Sequence, residues 1–68
     1  MTMLKVIEVL AQSDKSWEDA AANAVEQAAK TVRDIKSIYI KDMEAVVEDG
    51  RITQYRINAK ISFALGEA

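Results

Sequence analysis

Apolar and polar residues alternate through the last third of the chain. Tyr55, Ile57, Ala59, Ile61, Phe63 and Leu65 are apolar, and Gln54, Arg56, Asn58, Lys60 and Ser62 between them are polar. A period of two sustained over this length predicts a long strand with one buried face. The period changes in the stretch Ser16–Ile35, where Trp17, Ala21, Ala24, Val25, Ala28, Val32 and Ile35 recur at spacings of three and four. That spacing puts them on one stripe of a helix. Ser16 is placed to cap its start, and Glu18 and Asp19 put negative charge at the positive end of the helix dipole. Lys30 and Arg33 fall near the other end. No glycine closes the helix, so its end is expected between Arg33 and Lys36. Three of the seven stripe residues are alanine, which allows close approach, so the helix is expected to lie flat on a sheet.

The remaining segments supply that sheet. Leu4–Leu10 is short, branched and apolar, as a strand requires, and Ala11–Lys15 reads as a polar connector to the helix. Ser37–Asp42 alternates with Ile38 and Ile40 on one side, and Met43–Val47 continues it. Asp49-Gly50 between Glu48 and Arg51 is a hairpin signal, because glycine takes positive φ without steric cost. A two-residue loop there predicts a register: Ile38 opposite Ile61, Ile40 opposite Ala59, Ser37 opposite Ser62 and Tyr39 opposite Lys60. The same register sets Lys41 opposite Asn58 and Met43 opposite Arg56, with Met43–Val46 as the place for a bulge. The order is β-α-β-β, an α+β fold. A strand over 51–65 reaches roughly 50 Å at ~3.3 Å per residue, whereas a helix of about nineteen residues covers roughly 28 Å. The hairpin therefore overhangs the helix, leaving Val46, Val47, Ile52 and Tyr55 exposed unless another subunit covers them.

Composition narrows the function. The 68 residues make one small domain spanning 1–68, without cysteine or histidine. Neither a disulfide framework nor an ordinary zinc or haem ligand set is available, so oligomerisation is the remaining route to stability. Nine basic residues against eleven acidic ones give a net charge of −2 with no basic stripe, which argues against a nucleic-acid partner. No apolar run approaches the ~20 residues of a membrane span. The start Met-Thr-Met-Leu-Lys-Val-Ile-Glu is not a signal peptide, and a cytoplasmic location without a membrane partner is expected. With no glycine-rich loop and no nucleophile paired to a base, an enzyme is not expected.

Several segments then match a known family in order. They are Lys-Val-Ile-Glu in the first strand, Ser-Trp-Glu-Asp-Ala at the helix start and Asn-Ala-Val-Glu-Gln-Ala-Ala-Lys-Thr-Val-Arg within the helix. Glu-Asp-Gly-Arg-Ile at the turn and Lys-Ile-Ser-Phe-Ala-Leu at the end complete the set. From Lys5 to Leu65 the chain resembles the dodecins. The resemblance implies a three-stranded antiparallel sheet partly wrapped around one helix, assembled into a hollow homododecamer. It also implies a non-enzymatic protein that stores or buffers flavin, FMN or riboflavin, stacked between aromatic side chains of related subunits.

Three family positions fall on Ser37, Asp42 and Arg56. Ser37 stands where the family has its flavin-stacking tryptophan, and it has no π-face. Arg56, after Tyr55, stands where the family has a glutamine that bonds the isoalloxazine; a guanidinium cannot accept a hydrogen bond. Asp42 matches an acidic residue of the family. Tyr39, on the face expected to carry Ser37, is a candidate replacement ring, and a packed interface tyrosine is the plainer reading. Trp17 reads as a clamp of the helix onto the sheet or a neighbour. Arg56 reads either as an anion-binding residue or as half of an intersubunit salt bridge. Some dodecin relatives lacking the tryptophan are described as calcium-binding, and Asp42, Glu44, Glu48 and Asp49 offer oxygen ligands, although Glu48-Asp49 is most simply a solvated turn. Two functions are thus expected: small-molecule binding of the flavin type with an altered stacking site, or a flavin-free assembly that binds a cation such as calcium or serves structurally.

Overall fold

The structure is a computed structural model and describes residues 2–66. Four elements follow one another: β1 (Leu4–Ser13), α1 (Trp17–Ala28), β2 (Ile35–Glu48) and β3 (Arg51–Ala64). The three strands form one antiparallel sheet in the order β1-β3-β2, and α1 packs on one side of it. This is the expected β-α-β-β architecture. No helix among the described residues is long and apolar enough to cross a membrane.

The central place of β3 follows from its alternation. Ile57, Ala59 and Ile61 are fully buried on the helix side, together with Ala20 of α1. Alanine at 20 and 24 lets the helix backbone come close, and Val9, Ala11, Trp17, Ala21, Ile38 and Ile40 fill in around this centre. The buried helix positions are Ala20 and Ala24, so Ala20 joins the stripe that the spacing of apolar residues assigned without it.

Ser16 caps α1 as expected, its hydroxyl accepting from the Asp19 N–H at 2.9 Å. The turn before it is tied by Ser13, which donates to Asp19 Oδ2 at 2.6 Å and accepts from the Lys15 N–H at 2.9 Å. β1 therefore runs on to Ser13, through the first three residues of the expected connector. The helix is shorter than its apolar spacing suggested. It ends at Ala28, and i→i−3 bonds from Lys30 and Thr31 tighten the exit. Thr31 and Val32 are β-branched and lose χ1 freedom in a helix. Asp34 then takes the left-handed conformation at φ 59°, a role that aspartate tolerates better than most residues. Ile35 thus opens β2 instead of closing the helix stripe.

The hairpin is the predicted one. Asp49 and Gly50 have φ of 53° and 75°, the pattern of a type I′ turn, and Glu48 pairs with Arg51. Pairs from Ser37–Ser62 to Ile40–Ala59 also match the expected register. Beyond Ile40 the register shifts: Asp42, not Lys41, opposes Asn58, and Met43 opposes Ile57, not Arg56. The expected bulge window was Met43–Val46, whereas the shifts lie between Ile40 and Asp42 and between Val46 and Val47, with a third at the start of β2 between Ile35 and Ser37. The reason is which residue meets the helix: Met43 lines a pocket with Trp17, although it stays 58% exposed. An unbroken strand would put Asp42 under the helix and Met43 on the open side, and one extra residue reverses both. At the far end Val47 and Ile52 are 60% and 51% exposed, in keeping with the overhang. Val46 and Tyr55, expected to be exposed as well, are half-buried.

Candidate functional site: the open face of the sheet

The side of the sheet away from α1 gathers the residues that the sequence singled out. Pairing across the three strands gives four rows: Gln12–Arg56–Glu44, Leu10–Asn58–Asp42, Glu8–Lys60–Tyr39 and Val6–Ser62–Ser37. Ser37, Tyr39, Asp42, Glu44 and Arg56 therefore share one face, both Asp42 and Glu44 because of the bulge.

Arg56 is held from both flanks. Its Nε donates to Gln12 Oε1 at 3.0 Å, and Nη1 lies 3.5 Å from Glu44 Oε1. The ion pair is open to solvent, with side-chain exposures of 38% for Arg56 and 62% for Glu44, so it contributes under about 1 kcal/mol. Arg56 thus pairs within its own chain. The Ser37 hydroxyl is hydrogen-bonded to that of Ser62 across the strand pair. Tyr39 beside it is 63% exposed, the one large ring on this face among the described residues.

The carboxylates are spread out. Asp42 and Glu44 stand in neighbouring rows, whereas Glu48 ends β2 and Asp49 lies in the hairpin turn. Among the described residues no three His, Cys, Asp or Glu side chains gather closely enough to hold a metal ion. Asn58 was not singled out by sequence, yet its Oδ1 is buried without a hydrogen-bond partner among the described residues. Its place in the polar alternation signalled only that it faces away from the core. Gln12 was missed for the same reason.

Trp17 lies on the other side of the sheet, where Met43 and Ile57 line a shallow pocket with it. Its ring meets Tyr55 edge-on at 4.9 Å between centroids, and its indole Nε1 donates to the backbone carbonyl of Glu44 at 2.9 Å. The expected clamp of helix onto sheet is present.

The dodecin family model matches residues 3–66 of this chain. The chain belongs to the dodecin family. A relative named calcium dodecin, from Mycobacterium tuberculosis, is 39% identical over 69 residues, spanning 100% of this chain and 96% of the relative. A solved structure of the calcium-chelating antigen calcium dodecin from the same organism, described as having a novel calcium-binding site, is 36% identical with a TM-score of 0.81. That match covers 97% of this chain and 94% of the other. The dodecin of Streptomyces coelicolor superposes with a TM-score of 0.91 at 27% identity, covering 98% and 96% of the two chains. Of the three positions named for the family resemblance, Ser37 and Arg56 hold to partners in their own chain and Asp42 is exposed; Tyr39, the candidate replacement ring, is exposed as well.

Proposed function

We propose that this dodecin-family chain is a non-enzymatic protein that assembles with copies of itself, as a homododecamer, and binds a divalent cation such as calcium. Asp42 and Glu44 on the open sheet faces of neighbouring copies supply oxygen ligands, the hard donors that calcium prefers. The observation that carries this reading is Ser37. A serine bonded to Ser62 stands where a stacking ring would be needed for flavin, and Asp42 and Glu44, further along the same face, are exposed. The name and calcium site of the 39%-identical relative support it. A small core and the exposed Val47 and Ile52 support assembly.

Calcium titration into chelator-treated protein, followed by calorimetry and by thermal melting, tests the cation. Calcium at a hundredfold excess over its Kd is expected to stabilise the protein by about 2.7 kcal/mol, and the effect is expected to fade in Asp42→Asn and Glu44→Gln. Melting indifferent to calcium and chelator overturns the reading. Light scattering on the eluted protein is expected to give twelve times the 7.5 kDa chain mass.

One observation favours a second reading. Tyr39 is an exposed ring on the same face, opposite Lys60, and offers a stacking surface for FMN or riboflavin. Quenching of flavin fluorescence by micromolar protein is the result expected of it. Absence of quenching removes flavin as the ligand, and Ser37→Trp then asks whether the missing ring alone is responsible.

A further inference from the structure

The two register shifts that flank Asp42–Val46 cancel. Ile38–Ile61 and Ile40–Ala59 on one side, and Val47–Ile52 and Glu48–Arg51 on the other, belong to a single register, and the pairs Asp42–Asn58 to Val46–Gln54 are offset from it by one residue. Neither flank therefore dictates the offset. A one-residue slip of this segment would remove both bulges and leave the ladder regular from Ser37 to Glu48. Such a slip turns every side chain of the segment to the opposite face. Asp42 would then oppose Ile57 under the helix, Glu44 would oppose Tyr55, and Met43 would stand on the open face opposite Arg56.

Beside the exposed Arg56–Glu44 pair that the offset sets across the strands, Trp17 makes two contacts to this region. The indole N–H bonds to the carbonyl oxygen of Glu44, at the middle of the offset segment. The indole ring packs edge-on against Tyr55, the partner of Ala45. Met43, which the offset turns to the helix side, lines the same pocket as Trp17. The helix thus reaches through its first residue to the backbone of the segment that carries the acids.

We infer that Trp17 is a positioning residue: its indole N–H locks β2 in the offset register and so keeps Asp42 and Glu44 on the open face. The lock concerns the fold alone, and its consequence for a ligand rests on the cation reading above. The chain has one tryptophan, so replacement of tryptophan by β-(3-benzothienyl)alanine during expression changes this position alone. That ring keeps the shape of indole and lacks the N–H. Hydrogen exchange of the assembled protein is then compared with the native form, segment by segment. Amides of 42–46 are expected to exchange at least threefold faster in the analogue, with those of β1 unchanged. Equal rates in 42–46, or an acceleration spread over the whole sheet, overturns the lock.

Calcium titration of the same two proteins separates the claims. Native protein that binds calcium, with the analogue binding at least threefold more weakly, supports both. Native binding with unchanged affinity in the analogue overturns the positioning role. Native protein that does not bind calcium defeats the cation reading and leaves the exchange experiment to decide the lock by itself. Trp17→Phe, which keeps an aromatic ring without a donor, is expected to behave like the analogue in both measurements.

Discussion

β3 takes part in two ladders that are built differently. With β1 it pairs without interruption from Leu4–Ala64 to Ser13–Tyr55. With β2 it pairs over a similar length but shifts register at three places. The regular ladder keeps strict alternation, with Ile7, Val9 and Ala11 toward the helix and Glu8, Leu10 and Gln12 away from it. The irregular ladder breaks the pattern where the acids lie, and the break is what puts Asp42 and Glu44 beside Asn58 and Arg56. Bulges re-aim side chains at the cost of local pairing. The contrast teaches that stability is concentrated in the shared strand, and that the candidate binding residues depend on the ladder that departs from regularity.

The largest effect is expected where both ladders meet. Ile61 is fully buried, opposite Ile7 on one side and Ile38 on the other. Ile61→Ala removes buried carbon and leaves a cavity, and a loss of about 2–5 kcal/mol is expected in chemical denaturation at fixed protein concentration. A loss below 1 kcal/mol would mean that β3 is not the shared core of the two ladders. Gly50 comes next, at the closed end of the irregular ladder. A Cβ there meets nothing within 4 Å, so the cost of Gly50→Ala is that of a left-handed backbone alone, about 1 kcal/mol. Ser16→Ala, at the exit of the regular ladder into the helix, is expected to cost about 1 kcal/mol or slightly less through loss of the cap. Both are read in the same denaturation experiment.

The sequence made about half of the β2–β3 ladder legible and assigned β1 no partner. Alternation in β3, the Asp49-Gly50 turn and the pairs from Ser37 to Ile40 could be read because each rests on local chemistry: side-chain period, positive φ, and counting outward from a two-residue loop. The position of the bulge could not be read in this way. It depends on whether Met43 or Asp42 lies under the helix, a choice made by packing across the sheet and by a bond from Trp17, 27 residues away in sequence. The helix end was over-extended for a related reason. Val32 and Ile35 keep the apolar spacing, and nothing local announces that Asp34 turns left-handed. Ser37 and Arg56 were found from their place in the family pattern. Asn58 and Gln12 carry no such mark, because a polar residue in an alternating strand signals only that it faces outward.

The smallest effect on stability is expected at Arg56, and it sharpens the contrast most. Arg56 is the point where the ladders touch on the open face, bonded to Gln12 of the regular one and paired with Glu44 of the irregular one. The pair is solvent-exposed and long, so Arg56→Met is expected to change stability by no more than about 0.5 kcal/mol. Its effect on ligand is expected to be larger. The guanidinium competes with any cation for the Glu44 carboxylate, and its positive charge in the next row also opposes a cation at Asp42. Removing it is expected to raise calcium affinity about threefold or more at low ionic strength, with a smaller gain in salt. Calorimetric titration of native and Arg56→Met protein at two salt concentrations measures this. A loss of affinity would instead assign Arg56 the opposite task, holding Glu44 in place for the ion. In that case the regular ladder, through Gln12, supports the binding residues of the irregular one.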